Sequence, residues 1–207
     1  NVAGLMAHAG FDWVVIETEH NGLDSAEVEH MLMAMSGTES VPIVRVPSSD
    51  RVYIQRALDM GAMGVLVPLV KSVDEARAIV SATRYPPEGT RSWGPLRAYQ
   101  YSFDTDDYFD RANQNIIVSL IIETTEALED LEAIALEPGI DVIMLGPWDM
   151  SLSLGLDPRK LPLPEIDGVL ERMLEVGRKT GVAVGSSAST PITLAEAQSK
   201  GITFIPY

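Results

Sequence analysis

Cysteine is absent from the 207 residues and histidine occurs only three times. The first absence excludes disulfides, thiolate metal sites and cysteine nucleophiles, and makes a reducing cytoplasm the expected location. The second leaves His8, His20 and His30 as the only imidazoles, which disfavours transition-metal sites built on histidine. Basic residues are scarce too: 15 Lys+Arg stand against 30 Asp+Glu, giving a formal charge of −15 and a pI near 4.5. So acidic a chain is repelled by phosphate backbones and anionic headgroups, so nucleic acid and membrane surfaces are not expected partners. Long apolar runs are missing as well. Stretches such as Gly64 to Val70 fall far short of the roughly 18 residues of a membrane span, and nothing reads as a targeting signal. What remains, 46% hydrophobic and 22% charged residues, is an ordinary globular composition with length enough for a full core in one domain.

Short β-branched runs alternate with amphipathic stretches. Strands are expected at Trp13 to Ile16, Pro42 to Val46, Val65 to Val70, Ile116 to Ile122, Asp141 to Leu145, Val182 to Ser186 and Ile202 to Pro206. These runs are nearly continuous in apolar character, as parallel strands covered on both faces must be. Helices are expected at Ala26 to Met35, Arg51 to Met60, Val73 to Arg84 and Glu126 to Leu136, each after a Ser, Thr or Asp that can cap it. Ser72 to Glu75 matches a capping box, and Gly37, Gly61, Gly181 and Gly201 stand where helices should stop. The chain opens on an amphipathic stretch, Asn1 to Gly10, that looks like the helix of a preceding unit. Seven strands plus one absent first strand predict an α/β (β/α)8 TIM barrel, a fold of typically ~250 residues. An open doubly wound sheet is the alternative, but no Gly-x-Gly-x-x-Gly or Walker lysine loop follows any strand. The segment Tyr85 to Asn113, rich in Pro, Arg and aromatics, reads as an insertion that covers a site or forms a subunit contact.

A barrel places its chemistry at the carboxyl ends of the strands. Those ends carry Glu17, Glu19 and His20, then Arg45, then Lys71, then Glu123, and then Gly146-Pro147-Trp148-Asp149. Glu123 is either a helix cap or, with Asp149, half of a hard oxygen site for Mg²⁺ or Mn²⁺. Asp149 has the same two readings. His20 is either a solvated loop residue or a general base, histidine being the side chain that exchanges protons near neutral pH. Arg45 closes an apolar strand, where a guanidinium must be paired, with a structural carboxylate or with an anionic ligand. Asp59, near the end of a helix, is disfavoured there by the dipole even as a solvated acid.

These residues carry a resemblance to the class II, metal-dependent pyruvate aldolases of the hydroxyheptenedioate and 2-dehydro-3-deoxy-glucarate aldolase family. It runs through Gly10-Phe11-Asp12-Trp13, Glu19-His20, Pro42 to Arg45, Leu58 to Gly61, Val67-Pro68, Glu75 to Arg77, Thr83 to Arg91, Ile122 to Thr124 and Gly146 to Ser151. So many blocks in order are more specific than any one of them. The resemblance implies a (β/α)8 barrel, with residues 1–207 forming a single barrel domain that lacks the first strand and the carboxyl-terminal tail. It also implies a homo-oligomer, a hexamer arranged as a trimer of dimers. Glu123 and Asp149 are then the ligands of Mg²⁺ or Mn²⁺, with Co²⁺ also compatible. His20 is the base, Asp59 its orienting partner, Arg45 the anion clamp beside the keto group, and Gly146 and Pro147 contact the substrate. The implied reaction is reversible cleavage of a 4-hydroxy-2-oxo acid to pyruvate and an aldehyde.

The chain departs from the commoner family residues at Glu17, where Asp is usual, at Ile121, where Gln is frequent, and at Ser92-Trp93, where a Gly follows the Arg. These changes are expected to touch the acceptor half of the reaction more than the pyruvate half. Three other readings compete. Lys71 could form a Schiff base, although its setting beside Ser72 and Asp74 looks like a solvated helix start. The same carboxylate pair would serve a related metal-enolate lyase or an oxaloacetate decarboxylase. A non-catalytic keto-acid-binding barrel is the third.

Overall fold

Apolar β-branched runs, punctuated by glycine and by capping side chains, set the element order. The computed structural model describes residues 2–103, 105–187 and 191–206, so Asn1 of the expected opening helix and Asp104 of the expected insertion lie outside the described residues. In chain order the elements are α1 (Val2–His8), β1 (Trp13–Glu17), α2 (Ser25–Ala34), β2 (Val41–Arg45), α3 (Arg51–Asp59), β3 (Gly64–Val67), α4 (Val73–Thr83), α5 (Thr105–Ala112), β4 (Ile117–Ile122), α6 (Thr125–Glu129), α7 (Leu131–Leu136), β5 (Val142–Leu145), α8 (Pro147–Ser153), α9 (Pro164–Thr180), β6 (Ala183–Gly185) and α10 (Pro191–Lys200). Single 3-10 turns occupy Gln100–Ser102 and Pro158–Lys160.

The strands form one six-stranded sheet in the order β1 to β6, and the β1–β2, β2–β3, β4–β5 and β5–β6 ladders are parallel. This corrects the expectation of an eight-stranded (β/α)8 TIM barrel. Closure needs the first and last strands to pair, whereas among the described residues β1 and β6 are the two edges of the sheet. The expected seventh strand, Ile202 to Pro206, shrinks to a lone bridge between Phe204 and Gly185. Gly201, at φ +92°, has only just turned the chain, and Pro206 has no N–H to extend a ladder.

The chain divides into two packing units, Asn1–Val67 with Ala78–Val118, and Pro68–Arg77 with Ser119–Tyr207. In the first, Ala3 and Ala7 of α1 pack on Val14 and Met35. Asp24 starts α2 with a full capping box, accepting from the Glu27 N–H at 2.9 Å while Glu27 accepts from the Asp24 N–H at 2.9 Å. The β1–β2 register sets Glu17 opposite Arg45, so the two side chains emerge together. At the start of β3, Gly64 lies so close to its neighbours that a Cβ there would sit 3.0 Å from the Ile117 carbonyl oxygen and 3.2 Å from Ile43 Cγ1.

In the second unit, Leu120, Ile121, Ile122, Ile143 and Leu145 are fully buried. Thr124 caps α6, accepting from the Ala127 N–H at 3.1 Å while its hydroxyl donates to the Val70 carbonyl at 3.0 Å. The single helix expected over Glu126 to Leu136 is broken at Asp130, whose carboxylate instead accepts from the Val73 N–H at 3.2 Å. Ser72 accepts from the Glu75 N–H at 3.2 Å, but the Glu75 carboxylate reaches Lys71 N–H at 2.9 Å, one residue beyond the expected capping box.

Gly64→Val is expected to lower unfolding free energy by about 1–3 kcal/mol, the usual cost of overpacking. Urea unfolding followed by tryptophan fluorescence measures it, and an unchanged midpoint would contradict the close approach at Ile117.

Candidate active site

Two groups of polar side chains lie at the carboxyl ends of strands, one in each packing unit. In the first unit, Arg45 closes β2 with only 18% of its side chain exposed. Its Nη1 donates to Glu17 Oε2 at 3.1 Å, and its Nη2 is paired with Glu19 Oε2. The sequence left open whether Arg45 meets structural carboxylates or an anionic ligand; it meets two carboxylates, and its buried Nε has no hydrogen-bond partner among the described residues. Glu17 also shapes the loop. Its Oε1 accepts from the Glu19 N–H at 2.5 Å and from the His20 N–H at 3.2 Å. The extra methylene relative to Asp therefore lets one carboxylate brace both the loop backbone and the guanidinium. The Thr18 hydroxyl donates to the Arg45 carbonyl at 2.5 Å, tying the same two strand ends together. His20 is mostly exposed, with Nε2 at 3.3 Å from Glu19 Oε2. Glu19 thus stands between His20 and Arg45, a centrality that sequence reasoning missed because nothing in Glu-Thr-Glu-His tells the two acids apart.

In the second unit, Glu123 follows β4 with 2% exposure. It is not the helix cap, since Thr124 fills that position. Its Oε1 accepts from the Leu69 N–H at 2.7 Å. Leu69 adopts φ +55°, a left-handed conformation costly for a branched side chain, and its strain falls where its N–H holds the carboxylate. Gly146 leaves room on another side. A Cβ there would collide with Glu123 Oε2 and lie 2.9 Å from Ile121 Cγ2. Pro147 then starts α8, and Gly146 gives that helix no side-chain cap. Asp149 sits half-buried in the first turn, where the helix dipole favours its charge, and it has no hydrogen-bond or ion-pair partner among the described residues.

Could these residues hold a divalent cation? Glu123 and Asp149 offer hard oxygen donors on neighbouring strand ends, and no group of three or more His, Cys, Asp or Glu side chains suited to a metal occurs among the described residues. Two carboxylates with the remaining positions left to water and substrate suit Mg²⁺ or Mn²⁺, which seldom need an all-protein cage. The buried Glu123, the glycine beside it where a Cβ would collide, and Asp149, without a partner among the described residues, therefore fit such an ion.

The other candidates lie elsewhere. Asp59, at the end of α3, is bonded to Arg91 at 2.7 Å, and Arg91 has 1% side-chain exposure. The Arg91 guanidinium also lies 4.5 Å from the centroid of Tyr85. Burial, together with the hydrogen bond to Tyr108, pushes the Tyr85 hydroxyl well above the ordinary tyrosine range, so that ring stays neutral. Lys71 is exposed, as the solvated reading of it expects. No helix among the described residues is long and apolar enough to cross a membrane.

A parallel α/β sheet with charged groups at its strand ends serves many kinds of enzyme; the relatives make this one a carbon–carbon lyase of the aldolase class. The chain belongs to the HpcH/HpaI aldolase/citrate lyase family, whose family model matches residues 1–205. A 2-dehydro-3,6-dideoxy-6-sulfogluconate aldolase from Pseudomonas putida is 36% identical over 99% of this chain and 80% of that protein. A hydroxypyruvate/pyruvate aldolase from Cupriavidus necator is 36% identical over 99% of this chain and 76% of that protein. Among solved structures, a member of this family from Burkholderia cenocepacia superposes with a TM-score of 0.89 at 34% identity, covering 99% of this chain and 81% of that one.

Removing the Asp59 carboxylate strands a buried guanidinium. Asp59→Ala is therefore expected to cost about 2–3 kcal/mol in urea unfolding, somewhat below the 3–5 kcal/mol of a fully enclosed pair because Asp59 is itself partly exposed. No change in stability would show that Arg91 does not depend on this carboxylate.

Proposed function

We propose that this protein cleaves 4-hydroxy-2-oxo acids to pyruvate and an aldehyde, and runs the reverse aldol addition, with Mg²⁺ or Mn²⁺ held by Glu123 and Asp149. The observation that carries this reading is the carboxylate pair. Glu123 is buried without serving as a helix cap, Gly146 has no side chain to crowd its Oε2, and Asp149 on the next strand end has no hydrogen-bond or ion-pair partner among the described residues. A divalent cation bound there would act as a Lewis acid on the keto group of a 2-oxo acid.

The protein's own residues account for the rest. Glu17 and Glu19 hold the Arg45 guanidinium in one orientation, so the part of it that stays exposed can meet an oxyanion without reorganising. Preorganised charge of this kind stabilises the negative charge that gathers on the keto oxygen as the C3–C4 bond breaks. His20 receives the proton of the C4 hydroxyl, whose electrons close the aldehyde carbonyl, and the bond pair is left on the pyruvate fragment, whose C3 then takes a proton from water to form the methyl group. In the addition direction the same imidazole returns that proton. Glu19, 3.3 Å from Nε2, supports the positive charge His20 then carries. The backbone of Gly146 and Pro147 lines the substrate side of the carboxylate pair.

Exchange of the pyruvate methyl protons with deuterated water, followed by proton NMR, tests the chemistry. Exchange is expected to require added Mg²⁺ or Mn²⁺, to stop in EDTA, and to fall by about 100-fold or more in Glu123→Ala, the upper end of what even outer-sphere changes cost a metal site. Persistent exchange in EDTA, or inactivation by borohydride with pyruvate, would overturn the proposal in favour of a lysine. Gly146→Ala gives a readout without turnover: its methyl group displaces Glu123, so Mn²⁺ binding followed by electron paramagnetic resonance should weaken about 10–100-fold.

A further inference from the structure

The acidic chain contains a cavity whose lining residues include no acid. It lies in the first packing unit, at the amino ends of β3 and β4, where residues 61–63 and 115–116 enter the sheet, and has a volume of about 360 Å³. Its polar lining is Arg91, Arg97, Arg111, Gln100, Tyr108 and Asn115. Three of the 15 basic residues thus meet at one hollow, in a protein with 30 carboxylate side chains, none of which lines it.

Arg91 and Arg97 are built in, whereas the Arg111 side chain is 57% exposed. Arg91 is buried to 1% exposure, fixed by Asp59 at 2.7 Å and the Tyr108 hydroxyl at 3.1 Å, with the Tyr85 ring beneath it. Its buried Nε–H has no acceptor among the described residues. Such an orphan donor is unfavourable in a folded protein and marks a place where an acceptor belongs. Arg97 is seated by hydrogen bonds from Nη1 to the Met60 carbonyl at 3.0 Å and from Nη2 to Ser36 at 2.7 Å. That seat depends on Gly61, at φ +101°, because a Cβ there would lie 2.5 Å from Arg97 Nη1. Arg111 is steadied through Nε by the Asp107 carbonyl at 2.8 Å. Asp59 balances one of the three charges and Asp107, 3.9 Å from Arg111 Nη2, offsets a second, which leaves the hollow positive through Arg97.

We propose that this cavity binds a small multivalent oxyanion, of the phosphate or dicarboxylate kind, as an effector site apart from the strand-end residues assigned to the chemistry. Forked guanidinium donors suit planar or tetrahedral oxyanions, and the neutral Gln100 and Asn115 amides and the Tyr108 hydroxyl add donors without repelling charge. A nucleic acid or an acidic protein would meet the repulsion of the −15 surface, whereas a small ion is carried inside it.

Isothermal titration with inorganic phosphate, against potassium chloride at matched ionic strength, tests the site on the intact protein. Four forms are compared: the native chain, Arg97→Gln/Arg111→Gln, Asn115→Asp and Arg45→Gln. Saturable binding is expected in the native chain and in Arg45→Gln with equal affinity, and at least 10-fold weaker binding in the double variant. Asn115→Asp, which keeps every arginine and places an acid in the lining, should weaken binding similarly and guards against misfolding of the double variant. No saturable heat in the native chain would overturn the proposal. So would binding that Arg45→Gln abolishes and Asn115→Asp leaves unchanged, which would place the phosphate at the strand ends instead.

Discussion

A guanidinium at the end of an apolar strand can persist only with its charge answered, and Arg45 is that group here. Glu17 and Glu19 answer it from the adjacent strand end. Removing charges from water is expensive, and the pairing recovers that cost only when geometry is fixed by further hydrogen bonds. Those bonds are present: Glu17 accepts from two backbone N–H groups of its own loop, and Thr18 donates to the Arg45 carbonyl. The β1–β2 register, the loop that carries His20 and the orientation of Arg45 are therefore one arrangement. Shifting any member would leave a buried charge uncompensated.

The second unit solves a related problem with less charge. Glu123 is buried and accepts from the N–H of Leu69, itself in a strained conformation, with a glycine where any side chain would crowd it. Strain and missing side chains are unfavourable to stability, and they persist where a buried carboxylate has to be held in place without crowding. Asp149, favoured by the amino end of α8, supplies the second charge. A chain already rich in acid gains little from a second carboxylate at the neighbouring strand end, and the proposed cation would answer both charges.

Much of this was legible in the residues. Each of the first six expected strands forms, shifted by a few residues at most, because continuous β-branched runs suit strands buried on both faces. Gly37, Gly61, Gly181 and Gly201 all adopt positive φ, as helix-stopping glycines should. The expected closed barrel did not follow, because closure is a pairing between distant strands, and no local pattern encodes whether an edge finds its partner. The long helix over Glu126 to Leu136 broke for a similar reason, since Asp130 is drawn to the Val73 N–H, 57 residues away in sequence. Asp59 read as a solvated acid or, by the resemblance, as the orienting partner of His20, and nothing near it in the chain announced its bond to Arg91.

The sequence by itself determined the alternation of strands and helices, the family, and the identity of the charged groups at the strand ends. Those follow from side-chain pattern and motif order, which are properties of neighbouring residues. Only the tertiary structure decided that Thr124 and not Glu123 caps α6, that Glu17 uses its extra methylene to brace Arg45, and that three arginines share one acid-free hollow. Each of these depends on which distant groups compete for one hydrogen bond or one space, and that competition is settled when the chain packs.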